Sequence, residues 1–338
     1  MEDRNVLLVQ EFLKSLKVGE KQYSGNLSVF TLHSEIRSSY EYATLGEAVK
    51  EGVLKITELG AGTVPEITVI NNGKKDVFIM DGEELVGAKQ NRMVNVSLIV
   101  PAETEIKIPV SCVERGRWRH TTVEFLTISN ISYANLRMKQ KMSIVESALK
   151  FCTFRTDQAE VWNEISEKMS RHKISSQTEA MSDIYEKEKN RIEDYREKFK
   201  HVESQIGAVF ALEGKIFGMD VFDKADTCRK LLPRIIRSYA LEVIEIPEKK
   251  TKKKQPEVND VEKFLKTLYE AEFSSRKSPG AGMTVTITGK KLTGTSLVAK
   301  DTVVHTSVFT MPDKEKRPKE YETGHIRRPS ERRTDEIH

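Results

Sequence analysis

Between Asp81 and Trp118 the chain carries more polar chemistry than a β-rich stretch requires. Glu83, Glu84, Lys89, Gln90, Asn91 and Arg92 fall within ten positions, and Cys112, Glu114, Arg115, Arg117 and Trp118 within seven. An arginine and a lysine beside two amides suit a phosphate, a carboxylate or a nucleotide edge, because a guanidinium binds such groups in a forked geometry. If a strand begins at Glu83, that residue and Glu84 point to opposite faces. One of them then suits a general base; the alternative is an internal pair with Arg92. Trp118 offers a flat ring for stacking, with Arg115 and Arg117 for phosphates, or else it is a core anchor beside solvated turn arginines. Cys112 is either a thiol activated by a nearby cation or a small buried hydrophobe of a strand.

A third cluster lies at 220–239, DVFDKADTCRKLLPRIIRSY. Asp223 or Asp226 would cap a helix and put Cys228 in its first turn beside Arg229 and Lys230. A helix N-terminus and two cations favour a thiolate, which makes Cys228 the best-placed nucleophile of the three cysteines. The alternative packs Cys228 under the cap while Arg229 and Lys230 hold an anion. The chain contains no GxGxxG loop, P-loop, HExxH or GxSxG motif. Its histidines are scattered singly and its cysteines have no metal-like spacing, so no His- or Cys-based metal site is expected; carboxylate sites stay open, and the sequence names no cofactor.

The elements that must position these groups are mixed. Residues 6–16 have helical apolar spacing and 26–33 alternate as a strand. From 53 to 128 the pattern is nearly all β, with Asn72-Gly73 and Asp81-Gly82 as hairpin signals. Residues 133–171 read as two helices broken near 153–157, and 177–201 as one long helix. A β-hairpin turning at Glu213-Gly214 follows at 206–222. The next helix, 226–244, should kink or restart at Pro233. A basic linker spans 248–257, and Asn259 would cap a helix over 259–271. Strands return at 283–309. From 312 onward apolar residues almost vanish, and a disordered tail is expected.

The expected fold is α+β: an antiparallel β-sandwich-like core at 26–128, a helical segment at 132–201, and returning strands and helices at 206–311. These would form one interleaved domain over 1–311, because the 206–222 hairpin is too apolar to stand alone, with the tail at 312–338. With 38% hydrophobic and 31% charged residues and a formal charge of +4, the composition is that of a soluble globular protein. The charge is too small to argue for nucleic acid. No apolar run is long enough to span a bilayer, the start is not patterned as a signal peptide, and three unpaired thiols suit the cytoplasm.

The strings DGEELVGAKQNR, IPVSCVERGRW and VFALEGKIFGMDVFD-x4-CRKL with SYALE resemble the domain family named for association with ADP-ribosylglycohydrolases and rhodanese-phosphatase proteins. The resemblance runs over most of 27–309. It implies a link to NAD and ADP-ribose metabolism and no assigned catalytic residue. Two functional expectations follow. One is a protein that binds or processes a phosphorylated nucleotide-type ligand, with Glu83, Glu84 and Cys228 as candidate catalytic groups. Lys89, Gln90, Asn91, Arg92, Glu114, Arg115, Arg117, Trp118 and Arg229 would be its ligand contacts. The other is a non-catalytic protein-interaction module whose polar clusters are structural.

Overall fold

Where the alternating pattern is uninterrupted the chain forms strands, and where it switches to 3.6-residue spacing it forms helices. The computed structural model describes residues 3–58, 65–119, 121–122, 124–246 and 254–312. In chain order the first elements are α1 (Arg4–Lys14), β1 (Lys17–Ser24), β2 (Leu27–His33), β3 (Tyr42–Thr44), α2 (Leu45–Lys50), β4 (Leu54–Thr57), β5 (Glu66–Asn71) and β6 (Asp76–Ile79). Then come β7 (Glu83–Gly87), β8 (Arg92–Val94), β9 (Leu98–Val100), β10 (Thr104–Cys112) and β11 (Phe125–Ile131). Four helices follow: α3 (Ala134–Phe151), α4 (Gln158–His172), α5 (Met181–Lys187) and α6 (Lys189–Arg196). The rest comprises β12 (Gly207–Leu212), β13 (Lys215–Phe222), α7 (Ala225–Val243), α8 (Val258–Tyr269), β14 (Glu272–Lys277), β15 (Met283–Gly289), β16 (Leu292–Ala299) and β17 (Thr302–Thr310). The class is α+β. No described helix is long and apolar enough to cross a membrane.

Three sheets result among the described residues. The largest has the order β1-β2-β12-β13-β17-β16-β15-β14, so the first two strands of the chain pair with its last third. Six strands, β11-β7-β8-β10-β5-β4, form a second sheet, and β3-β6-β9 a third, with β3 and β6 parallel. One face of the large sheet packs Phe30, Val209 and Val285 against Phe12 and Leu13 of α1 and Phe264 of α8. Its other face packs Phe210, Phe222 and Phe309 against Ile235 and Tyr239 of α7. The smaller sheets share a core around Ile56, Ile67, Ile79, Leu85 and Ile108. Each such side chain contributes roughly 1.5–3 kcal/mol through burial. α3 lies between large and six-stranded sheets: Gln140 donates to the Val94 carbonyl at 2.9 Å, and Lys141 to Thr295 Oγ1 at 2.8 Å.

The turn at Glu213-Gly214 joins β12 to β13 with positive φ at both residues, 48° and 79°, the form that matches strand twist. The other two hairpin signals behave differently. Asn72-Gly73 and Asp81-Gly82 connect strands of different sheets. At the first, the buried Asn71 amide takes over the turn: Nδ2 donates to the Lys75 and Pro101 carbonyls at 2.9 Å, and Oδ1 accepts from Gly73 N at 2.9 Å. At the second, Asp81 is drawn into a charged cluster between the layers.

The single helix expected over 177–201 is two short ones, α5 and α6, meeting at Glu188. Residues before α5 are held extended instead, because Ala180 forms a β-bridge with Glu114 and Met181 N donates to Val113 O at 2.8 Å. α7 runs through Pro233 without restarting. It begins after Lys224, which makes no side-chain cap, so neither Asp223 nor Asp226 fills that role. α8 starts with a capping box between Glu257 and Asp260 rather than at Asn259. Strands β1 and β14 lie where no strand was expected. The tail from 313 and residues 248–253 of the basic linker lie outside the described residues.

Candidate functional site

The first two polar clusters meet because β8 lies between β7 and β10. Leu85 and Cys112 are both register partners of Arg92, and the connection 88–91 folds back over the end of this sheet. Its reversal uses positive φ at Gly87 (128°) and Ala88 (43°). A Cβ on Gly87 would stand 2.3 Å from Thr122 Oγ1, so only glycine fits.

Arg92 and Arg117 lie at the heart of this end; Arg117 is wrapped by partners, whereas the buried Nε of Arg92 has no hydrogen-bond partner. Arg92 Nη1 donates to Gln90 Oε1 at 2.9 Å and to the Cys112 sulfur, while Nη2 lies 3.5 Å from Glu58 Oε1. Arg117 grips Glu114 with Nε to Oε1 at 2.9 Å and Nη2 to Oε2 at 2.6 Å. Its remaining donors reach Ala88 O at 2.7 Å, Asn91 Oδ1 at 2.9 Å and Thr121 Oγ1 at 3.1 Å. Asn91 N donates to Glu114 Oε2 at 3.0 Å, joining the two connections. Gln90, Asn91, Arg92, Cys112, Glu114 and Arg117 are all buried. Burial pushes the Cys112 thiol up to about 11, although Arg92 pulls the other way. Its backbone is held on both sides by Gln158, N to Oε1 and O from Nε2, each at 2.8 Å.

The two glutamates diverge, as alternation requires. Glu83 pairs with Arg234 of α7 and accepts from Met80 N at 2.9 Å, so its arginine partner comes from a distant helix and not from Arg92. Glu84 is fully buried, with Oε2 accepting from Asn130 Nδ2 at 3.3 Å and no hydrogen-bond partner for Oε1. Burial, with Glu114 and Asp183 nearby, pushes its carboxyl up to about 8. Both effects favour its protonated form.

The rim is exposed and aromatic. Trp118 is 52% exposed and Lys89 Nζ stands 5.4 Å from its ring centre. Arg115 stands 5.8 Å from the ring of Trp162 in α4. Both tryptophans of the chain are thus faced by a cation from 89–115, and Arg115 and Arg119 are open to solvent.

The third cluster is placed elsewhere. Cys228 is buried with Phe222, Leu231 and Leu232 in the core under α7. Burial and then Asp220 push its thiol well above the usual range. The cations that were to activate it turn outward: Arg229 pairs with Asp226 at 2.6 Å, and Lys230 with Glu47 at 2.5 Å. A cavity of about 460 Å³ between α6 and the end of α7, lined by Arg191, Tyr195, Lys198 and Ile244, contains none of the expected site residues.

Sequence reasoning missed a charged cluster between the layers. Arg137 donates to both oxygens of Asp220 at 2.9 and 2.6 Å and reaches Asp81 at 3.4 Å; Lys141 lies 3.1 Å from Asp81. Ser97 Oγ donates to Asp81 at 2.9 Å and lies 2.8 Å from His305 Nδ1, whose Nε2 is 3.3 Å from Asp220. This serine–histidine–aspartate chain is closed off from solvent at every member, so in this conformation it fastens layers and meets no substrate. The available signal was charge inside apolar alternation, Asp220 in IFGMDVF and His305 in VVHTSVF. Among the described residues no group of three or more His, Cys, Asp and Glu is arranged to hold a metal.

No curated protein and no solved structure matches the chain. A family model matches residues 15–309, which takes in the polar sheet end, its rim and the buried cluster alike. The chain belongs to the ARG and Rhodanese-Phosphatase-superfamily-associated Protein domain family.

Proposed function

We propose that the chain binds a phosphorylated nucleotide-type ligand of the ADP-ribose kind on the face around Trp118. In this reading Trp118 stacks on the base or sugar, and Lys89, Arg115 and Arg119 meet phosphates. Arg92, Arg117, Gln90, Asn91 and Glu114 act beneath, as the scaffold that fixes the 88–91 and 113–119 connections. The observation that carries it is the exposed Trp118 ring beside Lys89, on a loop that Arg117 anchors through Glu114, Ala88 and Thr121. A large flat side chain left half in water and rigidly supported is the usual form of a stacking platform. The family name adds the association with ADP-ribosylglycohydrolases, and the three unbridged thiols suit a reducing, cytoplasmic setting. Calorimetric titration with ADP-ribose, ADP and ribose 5-phosphate tests it. Heat that requires both ring and phosphate supports the reading, and silence across the panel removes it.

A second reading, a non-catalytic interaction module, is favoured by one feature. Arg92 and Arg117, the strongest anion-binding groups of the cluster, are engaged by internal partners. It differs in predicting that the Trp118 face binds protein and ignores nucleotides.

A further inference from the structure

Helix ends from three parts of the chain meet at one histidine. α4 closes at His172, α5 and α6 join at Glu188, and Glu245 follows the C-cap of α7, Ile244. His172 Nδ1 lies 2.8 Å from Glu188 Oε1 and Nε2 lies 2.8 Å from Glu245 Oε1, with the side chain 3% exposed. A neutral imidazole has one N–H and one bare nitrogen, whereas the imidazolium donates from both. Neither carboxyl can supply the missing proton. Burial opposes ionisation of Glu245, but His172, then Lys168 and Arg171, hold its carboxyl down at about 2. Burial is outweighed again at Glu188, where His172 and Arg191 keep the carboxyl below its usual range. The contact geometry therefore requires the charged ring.

The other charges around the ring come from each element packed on it. α4 itself contributes Lys168, 2.7 Å from Glu242 and 2.5 Å from Glu245, and Arg171, 2.9 Å from Glu245 and 3.5 Å from Glu164. Lys139 of α3 pairs with Glu164, and Lys168 Nζ stands 4.7 Å from the ring centre of Tyr133, just before α3. From α6, Arg191 donates to Glu188 Oε2 at 2.9 Å and to Ile244 O at 2.5 Å. If the imidazolium loses its charge, Glu245 still has Lys168 and Arg171. Among the described residues Glu188 keeps Arg191 alone, whose side chain is 58% exposed. A carboxylate facing a bare ring nitrogen at this distance is repelled, and Glu188 is the one held less.

We propose that His172 is a protonation-dependent clasp: charged, it ties the α5–α6 junction to α4 and to the end of α7, and neutral, it lets go of Glu188 and loosens the junction. Arg191 and Glu245 line the cavity between α6 and α7, so the clasp also steadies one wall of that cavity.

Hydrogen exchange read by mass spectrometry tests this, with protection taken relative to the intrinsic rates at each pH. Glu188→Gln offers an amide donor to the neutral ring and a carbonyl oxygen to the charged one, so it suits both states. Between pH 6 and pH 9, protection of peptides over 184–192 should fall about tenfold further in the unaltered chain than in Glu188→Gln, the change expected for one charge-assisted hydrogen bond. Any general loss of stability in alkali is shared by the two proteins and cancels. His172→Gln has one donor and one acceptor, like the neutral ring. It should be about tenfold less protected over 184–192 than the unaltered chain at pH 6, and level with it at pH 9. Equal falls in the unaltered chain and Glu188→Gln overturn the proposal, as does equal protection of the unaltered chain and His172→Gln at pH 6.

Discussion

Arg117 and Glu114 form a two-pronged ion pair, Nε to Oε1 at 2.9 Å and Nη2 to Oε2 at 2.6 Å, beneath the loop that carries Trp118. The same guanidinium also holds Ala88 O, Asn91 Oδ1 and Thr121 Oγ1. A lysine offers a point charge in place of that fork and leaves several of these acceptors unmatched. Arg117→Lys should therefore destabilise the protein by about 2–4 kcal/mol, somewhat less than the about 3–5 kcal/mol for removing one partner of a buried ion pair, because the lysine keeps the charge. Urea denaturation checks it, and an unchanged midpoint would mean that the loop is held by other contacts.

Glu84 predicts a pH dependence of the opposite sign to most carboxylates. Its folded pKa is pushed from 4.5 up to about 8, by burial first and by Glu114 and Asp183 after it. Between those values the folded state keeps a proton that the unfolded chain has lost, so stability falls as pH rises through the window. At about 1.4 kcal/mol per pKa unit the loss is of the order of several kcal/mol. Glu84→Gln keeps the shape and stays neutral. It should melt near the unaltered protein at pH 5 and above it at pH 8.5. Parallel melting curves at both pH values would show that Glu84 is solvated.

The three thiols should react in order of access. Cys152 is exposed, while Cys112 and Cys228 are buried and both have raised thiol pKa values, Cys112 to about 11. Iodoacetamide at pH 7.5 should modify Cys152 first, and the other two only on unfolding, as read by peptide mass. Fast modification of Cys228 in the native protein would reopen it as a nucleophile.

Asp220 lies between Arg137 and His305, and Arg137 foremost holds its carboxyl below the usual range despite burial. Its stabilising contribution is present above the ordinary carboxylate pKa and is lost as pH falls through the lowered value. Asp220→Asn leaves Arg137 with one fewer anion and should cost about 3–5 kcal/mol at pH 7. The gap between variant and unaltered protein should narrow in acid. Equal stability at pH 7 would mean that Asp81 alone suffices.

The β core, the α3–α4 break and the Glu213-Gly214 hairpin were legible because local periodicity and turn chemistry decide them. The splitting of 177–201 was not, because Ala180 and Met181 answer to Glu114 and Val113, far away in sequence. Nor was the fate of Asn72-Gly73, where the buried Asn71 side chain sets the path. For the candidate site, the sequence located Gln90, Asn91, Arg92, Cys112, Glu114 and Arg117 as a group but could not tell a solvent-facing arginine from an enclosed one. That distinction depends on Glu58, Gln158 and Thr121, which nothing in the motif announces. Cys228 shows the same limit: its first-turn position was legible, but the outward course of Arg229 and Lys230 toward Asp226 and Glu47 was not.

The central claim is that the scaffold lies beneath and the ligand face lies at Trp118. Calorimetric titration of ADP-ribose into the unaltered protein and into Trp118→Ala tests it most directly. The account predicts saturable heat for the former. For the variant it predicts a loss of affinity of about 5- to 150-fold at an unchanged melting temperature, since base–aromatic stacking contributes about 1–3 kcal/mol. No heat with the unaltered protein, or equal affinity in the variant, would contradict it.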